Sequence, residues 1–491
     1  MNITIENILL IGSFLLFVSV IAGKTSFRFG IPTLILFLII GMLAGSDGVG
    51  GIYFNNPIVA KFIGIVSLNF ILFSGGLDTN WSTIKPIVWQ GISLSTIGVL
   101  ITAVSLGTFI WLITDFSIYE SMLLGSIVSS TDAAAVFSIL RSKSIALKGH
   151  LRPTLELESG SNDPMAYALT IAFLSLVVNQ DQSLLSVIPT FLIQMIIGGA
   201  LGYFWARVSK FTINHIKLDY EGLYPVLAIS LMFLTYASTD YLGGNGFLAV
   251  YLNALYLGNQ ILTHKKTIIK MFDGSAWLMQ IILFLTLGLL VYPSQILQYA
   301  GIGIVLSFFL IIVARPLSVL VSLLPFRMAL RKRFFISWVG LKGAVPIVFA
   351  TFAMIQGIEK ANIIFNIVFF ISVTSIILQG TTLGLVAKWF HVSLPEKLKP
   401  RDPYDLILSE RVNSVMEEIH IPPNSFPVGK KIIELNFPQA TLIAMINRNN
   451  SFLTPNGSSV IESDDILIVL ADCRSNLEKA HNSLRLFETK F

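Results

Sequence analysis

Two polar runs interrupt apolar surroundings: Ser129-Ser130-Thr131-Asp132, ahead of three alanines, and Glu158-Ser159-Gly160-Ser161-Asn162-Asp163-Pro164. The chemistry they offer is reversible binding of a proton or a small cation. A carboxylate near the middle of a bilayer costs roughly 2.5 to 3.5 kcal/mol on insertion scales, so a membrane protein keeps one only where it meets an ion, a proton or a partner charge. Asp163 is the first candidate, because Asn162 beside it and Pro164 after it predict a local opening of the helix where backbone groups can join the coordination. Asp132 reads two ways, as a ligand or as the N-cap of a broken helix. The readings are compatible, since broken helices whose ends line a cavity are how transporters build midplane ion sites. Thr131 and Ser130 flank Asp132, and the hydroxyls of Ser130 and Ser159 are candidate supports.

Glu158 lies four residues before Asn162, hence on the same helix face. Arg315, in Ile-Ile-Val-Ala-Arg-Pro-Leu, falls in the middle of an apolar run and requires a carboxylate partner; Glu158 is the expected one. An Arg does not give up its proton at accessible pH, so this pair is expected to be structural. Lys342 sits in Gly340-Leu-Lys-Gly-Ala-Val-Pro346, a helix weakened by two Gly and a Pro. Two readings stay open for it: neutralising the negative ends of unwound helices, or snorkelling to a membrane face. Glu156 is expected near a helix end and hydrated, with no role.

These residues require a membrane to position them, and composition supplies it. Of 491 residues 54% are hydrophobic and 12% charged, with mean hydropathy +0.76, against about 25% charged in a soluble domain. Apolar runs long enough to cross a bilayer recur, and about thirteen spans fit: 5–23, 31–46, 58–76, 84–113, 119–140, 153–178, 183–206, 222–239, 245–262, 274–291, 296–325, 334–357 and 362–387. Odd-numbered connections carry 17 Lys and Arg and even-numbered ones only Lys61 and Lys360. The positive-inside rule then places the N-terminus outside and the C-terminus in the cytoplasm. The net charge of +5 follows from that topology and gives no reason to invoke nucleic acid. The first segment lacks a basic n-region and a cleavage site, so it is expected to be retained. The single cysteine, Cys473, excludes an internal disulfide and a cysteine metal cluster.

Composition changes after the last span. Residues 1–390 read as the transport domain, 391–404 as a linker and 405–491 as a small cytoplasmic α+β domain. Strands are expected over 409–419, 440–447 and 466–470, and a final helix over 474–487. No Gly-x-Gly-x-x-Gly loop follows a strand there. Within the membrane part the breaks at Thr131-Asp132 and at Gly340 to Pro346 fall in the fifth and twelfth spans. That odd offset predicts two inverted repeats, spans 1 to 6 and 8 to 13, whose interrupted helices cross at the ion site.

Thr131-Asp132, Glu158 with Asn162-Asp163, Ala314-Arg315 and Gly-Leu-Lys-Gly-Ala-Val-Pro together resemble the monovalent cation:proton antiporter superfamily, in particular its NhaP-type sodium or potassium/proton antiporters. The resemblance implies an inverted-repeat fold, a homodimer in membrane lipid, and elevator-like movement of a core domain against a dimerisation domain. It makes Asp163 the alternating carrier of cation and proton, with Asp132 and Thr131 in the site and Glu158–Arg315 a structural ion pair. Ala133 stands where many members have Pro, and Lys342 where many have Arg. The tail, with Val428-Gly429, Pro455-Asn456-Gly457 and Asp464-Asp465-Ile-Leu-Ile-Val, resembles the TrkA C-terminal (RCK-C) domain, a module that accompanies potassium transport and in some relatives binds regulatory ligands such as cyclic di-AMP. It tilts the expected ion from Na+ toward K+.

With Asn162 neutral and Asp163 ionisable, one carboxylate holds either a proton or a cation, which predicts electroneutral 1:1 exchange without a cofactor; Asp132 leaves an extra proton open. A ligand-gated cation channel or sensor is the competing class, although no filter-like segment or charged ring is visible. An enzyme is not supported: the spans hold no nucleophile with its base and no metal-ligand cluster.

Overall fold

The computed structural model describes residues 5–29, 33–143, 145–179, 181–394, 415–439, 441–448 and 451–485. The chain divides into two compact units, Met1–Lys397 and Leu398–Phe491.

The first unit is helical. Its helices are α1 (Ile5–Phe29), α2 (Thr33–Ala44), α3 (Pro57–Asp78), α4 (Trp81–Ile113), α5 (Ile118–Ile127), α6 (Ala133–Ser142) and α7 (Leu151–Val178). They continue as α8 (Leu184–His215), α9 (Leu223–Tyr241), α10 (Gly246–Gly258), α11 (Lys265–Leu290), α12 (Ala300–Ser322), α13 (Leu330–Val339), α14 (Ala344–Ile355) and α15 (Ala361–Trp389). With α5 and α6 counted as one interrupted segment and α13 and α14 as another, these are thirteen apolar segments. Seven are long and apolar enough to cross a membrane as single helices, and α13 with α14, bent by 50°, makes an eighth. The two largest extensions beyond the expected spans are in α8, which continues to His215 instead of residue 206, and in α11, which begins at Lys265 instead of residue 274. Both extensions carry basic residues, which hydropathy excludes from a span but which a helix end accommodates readily.

Local chemistry sets the helix starts. Pro57 opens α3 and the Asn56 side chain accepts from Val59 N at 3.1 Å. Ser117 and Glu120 form a capping box at α5, satisfying two otherwise orphaned amides. α14 is buried on all sides from Ala344 to Ala353, as expected of a helix apolar all round. Two helices contain a π turn, Leu94–Gly98 in α4 and Leu310–Ala314 in α12 directly before Arg315. The two lie in the fourth and eleventh segments, the same offset of seven as the breaks. Ser93 Oγ of α4 donates to Ser322 O of α12 at 2.7 Å.

After α15 the chain folds back on the α6–α7 connection. Lys148 N donates to Val392 O and Leu394 N to Ala146 O, both at 2.8 Å, and Leu147 pairs antiparallel with Ser393. Lys148 Nζ adds a bond to His391 O at 3.0 Å.

The second unit is a four-stranded antiparallel sheet of order β1-β4-β2-β3, with β1 Val415–His420, β2 Thr441–Arg448, β3 Ser451–Leu453 and β4 Ile466–Ala471, followed by α16 (Arg474–Leu484). β4 alternates, burying Leu467, Val469 and Ala471, and α16 adds Leu477, Ala480 and Leu484 to the same core. The expected strand over 409–419 is observed from Val415; 409–414 lie outside the described residues, as do 395–404 of the linker. α16 stops at Leu484 because Arg485 turns left-handed, with φ 51°; 486 and 487 of the expected helix lie outside the described residues. β3 is an addition that three residues in a polar turn do not announce.

Candidate ion-binding site

Both interrupted helices break where their sequences supply polar or flexible residues, and the breaks cross. Asp132 N donates to Leu341 O at 2.8 Å, so each unwound stretch satisfies a backbone group of the other. Asp132 Oδ1 accepts from Ala135 N at 3.0 Å, which caps α6. Gly343 and Gly340 permit the close approach: a Cβ on Gly343 would overlap the Asp132 carboxylate, and one on Gly340 the Arg315 guanidinium.

Lys342 is 1% exposed. Its Nζ donates to Ser130 O at 2.8 Å and Ser129 O at 3.1 Å, carbonyls released where α5 ends. Of its two sequence readings the structure therefore places it in the first, at the negative end of an unwound helix. Its backbone N donates to Ser375 Oγ at 2.9 Å, and Gln379 Nε2 to Trp338 O at 2.8 Å, so α15 holds both ends of the second break.

α7 runs unbroken from Leu151 to Val178 with Pro164 inside it, so the local opening expected at Asn162–Pro164 is absent: Pro removes one backbone donor but the helix continues past it. It brings its polar face to the first break. Ser130 Oγ donates to Asp163 Oδ1 at 2.5 Å and Ser159 Oγ to Thr131 O at 2.9 Å, while Asn162 Nδ2 donates to Thr131 Oγ1. Asn162 Oδ1 is buried without a hydrogen-bond partner, an arrangement costing about 1–3 kcal/mol unless something fills it. Asn162 and Asp163 are 1% and 8% exposed. On the neighbouring face Arg315 Nη2 donates to Glu158 Oε1, both residues being buried. The structure thus gathers Ser130, Thr131, Asp132, Glu158, Ser159, Asn162, Asp163, Arg315 and Lys342 around one crossing.

A cavity of about 490 Å³ reaches this cluster, and Asp132, Ser159 and Asp163 line it. It extends past Asp78, Asn80 and Arg152, toward the connections that carry the basic residues. Arg152 precedes Asp163 by eleven residues on α7, about 16 Å of helix. Glu156 lines the same passage, where it accepts from Arg152 Nε at 2.8 Å. Sequence reasoning missed four participants: Tyr251, which packs its ring on Gly160; Ser375 and Gln379; and Asn245, whose Nδ2 donates to Pro164 O at 2.7 Å. Only Asn245 had a sequence signal, as an N-cap type before the apolar run of α10.

Chemically, carboxylate, amide and hydroxyl oxygens converge at the end of an open cavity and can replace water around a monovalent cation. Among the described residues no three His, Cys, Asp or Glu group as metal ligands would.

The family model for "Sodium/hydrogen exchanger, transmembrane" matches residues 13–389. The chain belongs to the sodium/hydrogen exchanger family. The exchanger is a cation/proton antiporter of the membrane and no enzyme. A TrkA-C domain matches residues 416–483. The chain is 39% identical to the K(+)/H(+) antiporter NhaP2 of Shewanella sp. (strain ANA-3), over 96% of this chain and 82% of that one. It is 40% identical to the K(+)/H(+) antiporter NhaP of Alkalimonas amylolytica, over 94% and 81%. In structure the exchanger is similar to the sodium proton antiporter MjNhaP1 of Methanocaldococcus jannaschii, with a TM-score of 0.67 and 25% identity over 78% of this chain and 99% of that one.

Proposed function

We propose that this exchanger trades K+ for H+, one for one, at Asp163. The carrying observation is the single ionisable member of the Asn162-Asp163 pair, placed at the head of a cavity beside an amide oxygen that lacks a donor. A proton or a monovalent cation cancels the Asp163 charge equally, so both loaded forms leave the site with the same charge. The empty form leaves one uncompensated negative charge in a low-dielectric interior, which is costly to move. Loaded sites therefore cross and empty ones do not, and the two ions become coupled. Asn162 Oδ1, Thr131 and Ser130 complete the cation's oxygen shell; Glu158–Arg315 and Lys342 brace the crossing without exchanging ions. K+ is favoured over Na+ by the names of the relatives at 39% and 40% identity and by the TrkA-C tail.

In this reading residues 1–390 transport and 405–491 regulate, joined by 391–404. The distribution of Lys and Arg supports a plasma-membrane protein with its N-terminus outside and its tail in the cytoplasm, and the cavity then opens to the cytoplasm. Family resemblance supports a homodimer and a small-ligand site on the tail, with cyclic di-AMP as the candidate to try.

Purified protein in vesicles, with a pH-sensitive dye and added K+, Na+, Li+ or choline, tests the reading. K+-dependent proton movement that Asp163→Asn abolishes is the expected result. Movement with Na+ alone would make the ion Na+; passive cation flux without protons, unchanged in the mutant, would favour a channel.

A further inference from the structure

The cavity lies between two walls, which also touch where the Tyr251 ring packs on Gly160. One carries the broken helices and α7, with Asp132, Gly160 and Asp163; the other is built by α3, α10 and α11, with Ile71, Tyr251 and Phe284. The opening ends at Asp163, and one turn further along α7 the walls are joined. Asn245 Nδ2 donates to Pro164 O at 2.7 Å. The Tyr167 ring meets Phe247 edge-on at 5.1 Å, and its hydroxyl meets the Asp240 carboxylate. Lys61 Nζ lies 4.3 Å from the Phe352 ring centroid.

Asn245 differs from the rest of this closure. It is fully buried and fixed twice on its own wall: its Oδ1 accepts from Leu248 N at 3.0 Å, capping α10, and its backbone N donates to Gln194 O at 2.9 Å. Only the amide Nδ2 reaches across, to the carbonyl of the residue directly after Asp163. An antiporter with one site has to show that site to each side in turn, and the side opposite the cavity is shut here. Whatever joins the walls there must part.

We infer that Asn245 is a positioning residue of the exchange cycle, a clip that holds α7 at Pro164 and keeps Asp163 turned to the cavity, and that opens when the site faces the other way. This rests on the reading of Asp163 as the carrier. Losing one net hydrogen bond from only one of two states shifts their ratio by roughly fivefold. Shifting the populations changes apparent affinity on the two sides in opposite directions, which a general loss of stability does not do.

Asn245→Ser separates the roles, since a hydroxyl still caps α10 but is too short for Pro164 O. In a Cys473→Ser background, Ile71→Cys places a thiol in the cavity wall for a membrane-impermeant maleimide. Asn245→Ser is expected to slow that labelling, by up to about fivefold. The apparent KM for the cation should rise on the cavity side and fall on the other. Unchanged labelling with both KM values unchanged, or with both moved in the same direction, overturns the proposal. If Asn245→Ser does not reach the membrane, Asn245→Asp is read instead: it keeps length and cap, replaces the donor by an acceptor, and must shift the same way. Labelling needs no transport, so the clip can fail while Asp163→Asn still shows the carrier, and the reverse.

Discussion

Asp132 and Leu341, 209 positions apart in the chain, share a backbone hydrogen bond of 2.8 Å, so the two interrupted helices finish each other's hydrogen bonding. The proposed ion site lies at that crossing. Its proposed ligands come from the first half of the chain, and Arg315 and Lys342 of the second half brace them.

Because the crossing has no room for a side chain, Gly343→Ala should disable exchange. Its methyl meets the Asp132 carboxylate, and overpacking of this kind costs about 1–3 kcal/mol. We expect at least a tenfold loss of K+-dependent proton movement, with the protein still present in the membrane. Retention of more than half the activity would show that the crossing tolerates displacement.

Glu158 and Arg315 should be separable from transport by a double mutant. Arg315→Met or Glu158→Gln alone leaves a buried partner uncompensated and should cost about 3–5 kcal/mol, whereas the double replacement restores much of the loss. Thermal unfolding in detergent measures all three. Equal and additive losses would mean that the pair does not act as a unit.

Asn162→Asp adds a second carboxylate beside Asp163. If the neutral amide limits the site to one charge, this variant should carry a second proton per cation, and its exchange should generate a current that follows the membrane potential. The unaltered protein should show none.

Topology can be read from the chain's one cysteine. A membrane-impermeant maleimide should reach Cys473 only after cells are opened; labelling of intact cells would reverse the orientation.

The tail should lose stability in acid. Burial acts to raise the Asp465 pKa, yet the Arg448 guanidinium, bonded through Nε and Nη2 at 2.8 Å each, and the Glu462 N–H hold it below its ordinary 3.8. A lowered folded pKa contributes stability that is present above the unfolded value and lost as pH falls through the folded one. Protease resistance of the tail in the full chain should be level from about pH 8 to 5 and decline below about pH 4. Asp465→Asn should lower it at neutral pH by about 2 kcal/mol.

The helical framework was readable because twenty apolar residues in a row have few other uses, and the breaks because polar residues inside such runs need a reason. Asp132 and Asp163 stood out for their cost. The contacts of Lys342 were not readable, since backbone carbonyls leave no mark in a sequence. Nor was the bond from Asn245 to Pro164, which joins residues 81 apart and starts from an Asn whose type announces only a helix N-cap. The π turn at Leu94-Ser-Thr-Ile-Gly98 is equally silent, because one additional residue per turn changes no residue type. Basic helix ends concealed the true lengths of α8 and α11.

The pairing of Ala146–Lys148 with Val392–Leu394 gives the membrane unit a handle. The loop it grips joins the helix capped by Asp132 to the helix bearing Asp163, and the strand that grips it is the last described stretch before the tail. The strand continues directly from α15, so a pull on the chain beyond it would bear on the joint between the two carboxylate helices as well as on α15. A regulator at the C-terminal end would need no groove or lever of its own; it would only have to pull.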